Sequence, residues 1–173
     1  MLKRIAVIGP ESTGKSTLCT RLAEHYNTIW VPEYAREHLE KYGLHYTYDD
    51  LLHISARQIE LEDEMAKKAT NDLLFIDTNL YVMKVWCEFV YERCHMYILN
   101  EIARRHYDCY ILCDIDLPWE YQAMREYPDI KSRQRLFHMY KDILVNQHVP
   151  WFITSGSSEQ RVQKVIQQIE DLR

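Results

Sequence analysis

The chain has 173 residues, 47% of them hydrophobic and 27% charged, with a formal net charge of −5. That length suits one domain with a sizeable core, taken as residues 1–173, and the acidic balance argues against broad nucleic-acid binding, which relies on a basic surface. No apolar run approaches the roughly 20 residues of a transmembrane helix, and Met1 to Arg4 leads into the first strand without a signal-peptide pattern.

Arg4 to Ile8 is a compact apolar, β-branched run that predicts a buried strand. Residues 9–16 then read G-P-E-S-T-G-K-S, a complete G-x-x-x-x-G-K-[ST] phosphate loop. Leu18, Cys19, Leu22 and Ala23 follow at helical spacing within Lys15 to Tyr26. In a strand–loop–helix context, backbone N–H groups and the helix dipole favour a polyphosphate. Gly9 and Gly14 permit backbone angles that side chains resist. Lys15 is expected to reach the β- and γ-phosphates, and Ser16 to offer its hydroxyl to Mg²⁺. Glu11, Ser12, Thr13 and Thr17 complete the expected nucleotide contacts, so the chain is read as binding a nucleoside triphosphate.

Thr28 to Val31 predicts a second strand and Glu33 to Tyr42 a helix stopping at Gly43. A long helix follows from Tyr48 to Lys68, with Leu51, Ile54, Gln58, Leu61 and Met65 on one face and Thr47 or Asp49 as its cap. Leu73 to Ile76 is a fully apolar third strand ending on Asp77. Helices are expected from Leu80 to about Glu92 and from Ile98 to His106. Strands four and five are Tyr110 to Cys113 and Trp151 to Thr154, with a helix between them marked by Leu136, Met139, Tyr140, Ile143 and Leu144. Ser157 and Gln160 form a capping box for the last helix. This alternation predicts an α/β, three-layer fold of the P-loop kinase type: about five parallel strands flanked by helices, with a lid near residues 116–135. Five cysteines without a C-x-x-C pair are expected to be reduced core thiols of a cytoplasmic protein.

Ligands gather at the C-terminal edge of such a sheet, so residues following each strand carry the chemistry. After strand two, Glu33 could accept a proton from an attacking hydroxyl, or could simply complement a helix dipole. Arg36 could pair with it, orient a substrate or face solvent. After strand three, Asp77 holds the Walker B position for Mg²⁺ and could equally cap the next helix. After strand four, Arg125, Lys131, Arg133 and Arg135 fit a lid that neutralises charge on a transferred phosphoryl group and excludes water. Glu126 and Asp129 must balance some of these cations. Trp119, in a polar stretch, is a candidate platform for an aromatic base, whereas Trp30, Trp86 and Trp151 read as core. Tyr34 and Tyr81 lie near strand ends.

G-P-E-S-T-G-K-S-T, P-E-Y-A-R-E, F-I-D-T-N and D-x-P-W together resemble the NadR-type ribosylnicotinamide kinase domain across essentially the whole chain, Arg57-Gln58 included. The resemblance implies transfer of the ATP γ-phosphate to the 5′-hydroxyl of nicotinamide riboside, giving nicotinamide mononucleotide. The adenylyltransferase domain often fused to such kinases is not expected here. The lid departs from the family pattern: Gln122 and Ala123 stand where related sequences often carry an acid and a glycine. The expected catalytic set is Lys15, Glu33, Asp77, Arg125 and Arg133, with Glu33 and Asp77 left as alternative bases. Ser16 and Asp77 are expected to hold Mg²⁺, and Tyr34, Arg36, Asn79 and Trp119 to contact a nucleoside-like substrate. A kinase of another nucleoside or small metabolite, and a regulatory ATPase without a small acceptor, are the alternatives. The chain is expected to bind neither nucleic acid nor membrane, and the apolar segment from Tyr81 to Tyr91 could serve a homo-oligomer contact as readily as a core.

Overall fold

The computed structural model describes residues 1–121 and 125–172; Gln122 and Ala123 lie outside the described residues. Strands β1 (Lys3–Ile8), β2 (Trp30–Val31), β3 (Leu73–Asp77), β4 (Cys109–Cys113) and β5 (Trp151–Thr154) form one sheet in the order β2-β3-β1-β4-β5, with every pairing parallel. Its central strands, β1, β3 and β4, are nearly all apolar because helices cover both faces. Side chains alternate across the pleat. Ile5 and Val7 pack with Leu18 and Leu22 of α1 (Lys15–His25) and with Val165 and Ile169 of α7 (Ser158–Leu172). Ala6 and Ile8 face the other way, onto Val85 of α4 (Leu80–Tyr91) and Leu136 and Leu144 of α6 (Ile130–Val145). A third cluster joins α4 to α2 (Tyr34–Tyr42), α3 (Tyr48–Lys68) and α5 (Met96–Arg104) through Ala35, Leu51, Ile54, Met83 and Ile98. The fold is a three-layer α/β sandwich of the P-loop kinase type.

Connections from β1 and β3 leave on opposite faces, since α1 and α4 lie on different layers. A crevice therefore opens between the ends of these strands, where β1 runs into Gly9 and β3 into Asp77. No helix among the described residues is long and apolar enough to cross a membrane.

Three details refine or change the expectation. β2 is two residues long, and Thr28 lies before it in the turn that follows α1: its N–H bonds to Ala23 O at 2.9 Å and its hydroxyl to Leu73 O at 2.6 Å. The cap of α3 is Thr47, reciprocated by Asp50 in a capping box, rather than Asp49. Helix α6 starts at Ile130 with Asp129 as cap, so the expected lid divides into a connecting segment and the first turns of a helix. The capping box of Ser157 and Gln160 forms as expected.

Gly9 adopts φ +142°, and a β-carbon there would lie 2.9 Å from the Cys113 carbonyl oxygen. Gly9→Ala combines a backbone collision with a strained φ and is expected to destabilise the fold by roughly 2 kcal/mol. Equilibrium urea unfolding measures this; an unchanged midpoint would contradict the close approach of the loop to β4.

Candidate active site

The phosphate loop wraps the N-terminus of α1. Gly14 sits in the left-handed region at φ 77° and caps the helix without a side-chain hydrogen bond, leaving first-turn amides for an anion. Thr13 is buried and its hydroxyl donates to Pro10 O at 2.7 Å, tightening the loop. Lys15 Nζ donates to Gly9 O and Pro10 O at 3.0 and 2.9 Å, so the ammonium lies across the concavity its own loop encloses.

Beneath the loop lies an acidic pair. Ser16 Oγ donates to Asp77 Oδ2 at 2.5 Å, while Asp77 is only 1% exposed and its Oδ1 has no hydrogen-bond partner among the described residues. Burial, followed by the charge of Glu33, pushes the Asp77 carboxyl up to about 6. Asp77 therefore sits at the β3 end without capping α4; the cap is Asn79, which accepts from Tyr81 N. Glu33 caps α2 in backbone geometry only, leaving its carboxylate free to meet Arg36 at 3.8 Å. Arg36 also donates to Ser16 Oγ at 3.3 Å. An orphaned carboxylate oxygen beside a serine hydroxyl is a hard-oxygen donor set that fits Mg²⁺.

The segment after β4 folds onto the loop. Glu11 Oε2 accepts from the Glu126 and Tyr127 amides at 2.9 and 3.3 Å, although burial still raises its pKa. Ser12 Oγ accepts from Glu120 N at 2.9 Å and from Arg125 at 3.0 Å. Arg133 reaches Ser12 O and Leu117 O. A cavity of about 490 Å³ lies between these parts. Its floor is the phosphate loop; its walls include Glu33, Arg36 and Arg125 and an aromatic group of Trp86, Phe89, Tyr127 and Tyr140.

The AAA domain family matches residues 4–161. The chain belongs to that family. The trifunctional NAD biosynthesis/regulator protein NadR of Escherichia coli (strain K12) is 26% identical over 155 residues, covering 86% of this chain and 37% of the relative. The chain thus spans little more than a third of that curated protein. A crystal structure of NadR protein in complex with NR superposes with a TM-score of 0.84 at 22% identity, covering 99% of this chain and 49% of that one. A deoxyadenosine kinase from M. mycoides with bound dATP gives a TM-score of 0.62 at 11% identity, covering 97% and 99%.

Within this AAA domain, the expected nucleotide contacts from Gly9 to Thr17 all line the cavity, as do Glu33, Arg36 and Arg125. Several expected residues do not. Arg133 is 4% exposed and spends its guanidinium on carbonyls, tying the lid segment to the loop rather than facing the cavity. Asn79 is buried as a helix cap. Tyr34 packs against His38, His53 and Arg57, and Trp119 stacks edge-on with Tyr121. Trp86, expected in the core, is the tryptophan on the cavity wall. Sequence reading also missed Arg161. Almost fully buried, it donates to Thr13 O, Thr154 O, Asp114 O and Gly156 O and forms an ion pair with Asp116, binding the loop to the ends of β4 and β5. A lone arginine on a helix face gives no sequence signal for such a role.

The folded-state pKa of Asp77 lies above its unfolded value, so ionising it costs stability. That cost is absent below about pH 4 and complete once the pH has risen past about 6. Asp77→Asn is expected to gain on the order of 3 kcal/mol relative to the native chain on going from pH 4 to pH 8 without Mg²⁺. Urea unfolding at both pH values tests this, and a pH-independent difference would refute the buried carboxylate.

Proposed function

We propose that this domain is an ATP- and Mg²⁺-dependent kinase that phosphorylates the 5′-hydroxyl of a nucleoside, with nicotinamide riboside the first candidate and nicotinamide mononucleotide its product. One observation carries the reading: a phosphate loop and a lid arginine share a cavity with the Glu33 carboxylate and an aromatic wall. A nucleotide-binding switch has no need of an aromatic compartment facing its γ-phosphate site. The likeness to NadR supports nicotinamide riboside as the acceptor to try first. Residues 1–173 are proposed to work as one catalytic unit in the cytoplasm, consistent with five free cysteines.

In this mechanism the loop amides and Lys15 hold the β- and γ-phosphates, and the ammonium exchanges its carbonyl partners for phosphate oxygens. Ser16 and Asp77 would hold Mg²⁺, which neutralises charge on those oxygens. Glu33 is the proposed base. It lines the cavity, whereas Asp77 is buried behind Ser16 and engaged with it. Glu33 takes the proton of the acceptor hydroxyl as that oxygen bonds to the γ-phosphorus and the bond to the β-γ bridging oxygen breaks. Arg36 orients Glu33, and Arg125 exchanges Ser12 for the transferred group. Arg133 is proposed to act on the chemistry only through the lid segment it anchors.

Lys15→Ala is expected to lower kcat/KM by about 10²-fold or more while leaving the unfolding midpoint near native. Glu33→Gln should lower kcat by about 10²- to 10³-fold with the KM for ATP almost unchanged. Coupled ADP assays, with the product mass determined, check both variants. ADP released equally with and without acceptor would replace this reading by a regulatory ATPase.

A further inference from the structure

The cavity's charges are segregated. Lys15, Arg36 and Arg125 are engaged by groups on or next to the phosphate loop: Gly9 O and Pro10 O, Glu33 with Ser16, and Ser12. The cavity lining that includes Trp86, Phe89 and Tyr127 also carries the carboxylates of Glu126 and Glu120, and Glu126 is the one hydrogen-bonded into the aromatic group. Glu11 is close by, but its carboxylate is spent on the Glu126 and Tyr127 amides. Glu126 is held by a relay of hydrogen bonds that no nucleotide function explains. Trp86 Nε1 donates to Tyr46 Oη at 2.8 Å, and Tyr46 Oη donates to Glu126 Oε2 at 2.8 Å.

Tyr46 thus joins a wall residue on α4 to a wall residue on the lid segment, from the loop between α2 and α3. The Tyr46 and Trp86 rings meet edge-on with centroids 4.8 Å apart, which holds the indole in place. Burial raises the pKa of Glu126 against the opposing effect of the Tyr46 hydroxyl, so its ionised form lacks a strong counter-charge. Among the described residues Glu126 forms no ion pair. Arg135 lies over the Phe89 ring at 4.9 Å, outside the cavity lining, and shows that this aromatic group already accepts a cation on one side.

We propose that Glu126 is the specificity-determining residue that selects a cationic aromatic nucleoside over its neutral counterpart, and that Tyr46 is the positioning residue setting Glu126 and Trp86 for that selection. The proposal rests on the acceptor-kinase reading above and adds to it the group that reads acceptor charge. A half-buried carboxylate and π faces favour a cation over a neutral ring of equal size.

The test is calorimetric binding to the full chain saturated with AMP-PNP and Mg²⁺. The matched probes are nicotinamide riboside, a cation, and the neutral dihydronicotinamide riboside of almost the same shape. The native chain is expected to bind the cation about tenfold or more tightly. Glu126→Gln should bring the two affinities to within about threefold while AMP-PNP binds as before. Tyr46→Phe keeps the ring and removes the relay; it should weaken the cation about fivefold or more and leave the neutral probe nearly unaffected. An unchanged preference in Glu126→Gln, equal affinities in the native chain, or binding of neither probe would each overturn the proposal. Product analysis on parallel samples with Mg-ATP in place of AMP-PNP separates the two readings: charge-selective binding without phosphorylated product defeats the kinase assignment alone. Equal affinity and turnover of both probes defeats this inference alone.

Discussion

Strand ends β4 and β5 and the phosphate loop all present carbonyl oxygens to the same small volume, and Arg161 is the cation that lets them converge. Its guanidinium serves Thr13 O, Thr154 O, Asp114 O, Gly156 O and the Asp116 carboxylate while remaining almost fully buried. Removing it would leave several buried acceptors without a donor, a far larger penalty than the pair's net contribution. Asp116 extends the same knot by accepting from Gly156 N at 2.5 Å. The loop is thereby held at its base, with its first-turn amides and the Lys15 ammonium on the concave side.

The acidic side of the cavity is built on the opposite logic. Asp77 pays for its position with a strongly raised pKa, and nothing in the protein relieves Oδ1. A hard cation beside a buried carboxylate of this kind would relieve that cost. Glu33 escapes that burial by standing at the start of α2. Gln58 helps keep it there, accepting from Tyr34 N at 2.7 Å and donating to Pro32 O, the two neighbours of Glu33.

The lid segment links these halves. Glu11 and Ser12, which occupy variable positions of the phosphate-loop motif, bind lid amides and Arg125. The intermediate side chains of the loop motif therefore also grip the segment after β4 that folds onto the loop. Arg133 contributes from the buried side through Leu117 O.

Apolar strands, helical spacing and the glycine-lysine loop determined by themselves the parallel three-layer sheet, the nucleotide floor and the placement of Glu33 and Asp77 at the sheet edge. These features are encoded by neighbours in the chain, through periodicity and local backbone demands. Which carboxylate faces the cavity and which aromatic residues form its wall were decided only in three dimensions. Trp86 reads as core because its helix is apolar all round, yet one side meets the cavity; Trp119 reads as a platform for an aromatic base, yet it packs on Tyr121 outside the cavity lining. Arg161, Tyr46 and Glu126 acquire their roles from partners some 40 to 150 residues away. A hydrogen bond across that separation depends on how layers pack, and packing leaves no periodic trace in the sequence.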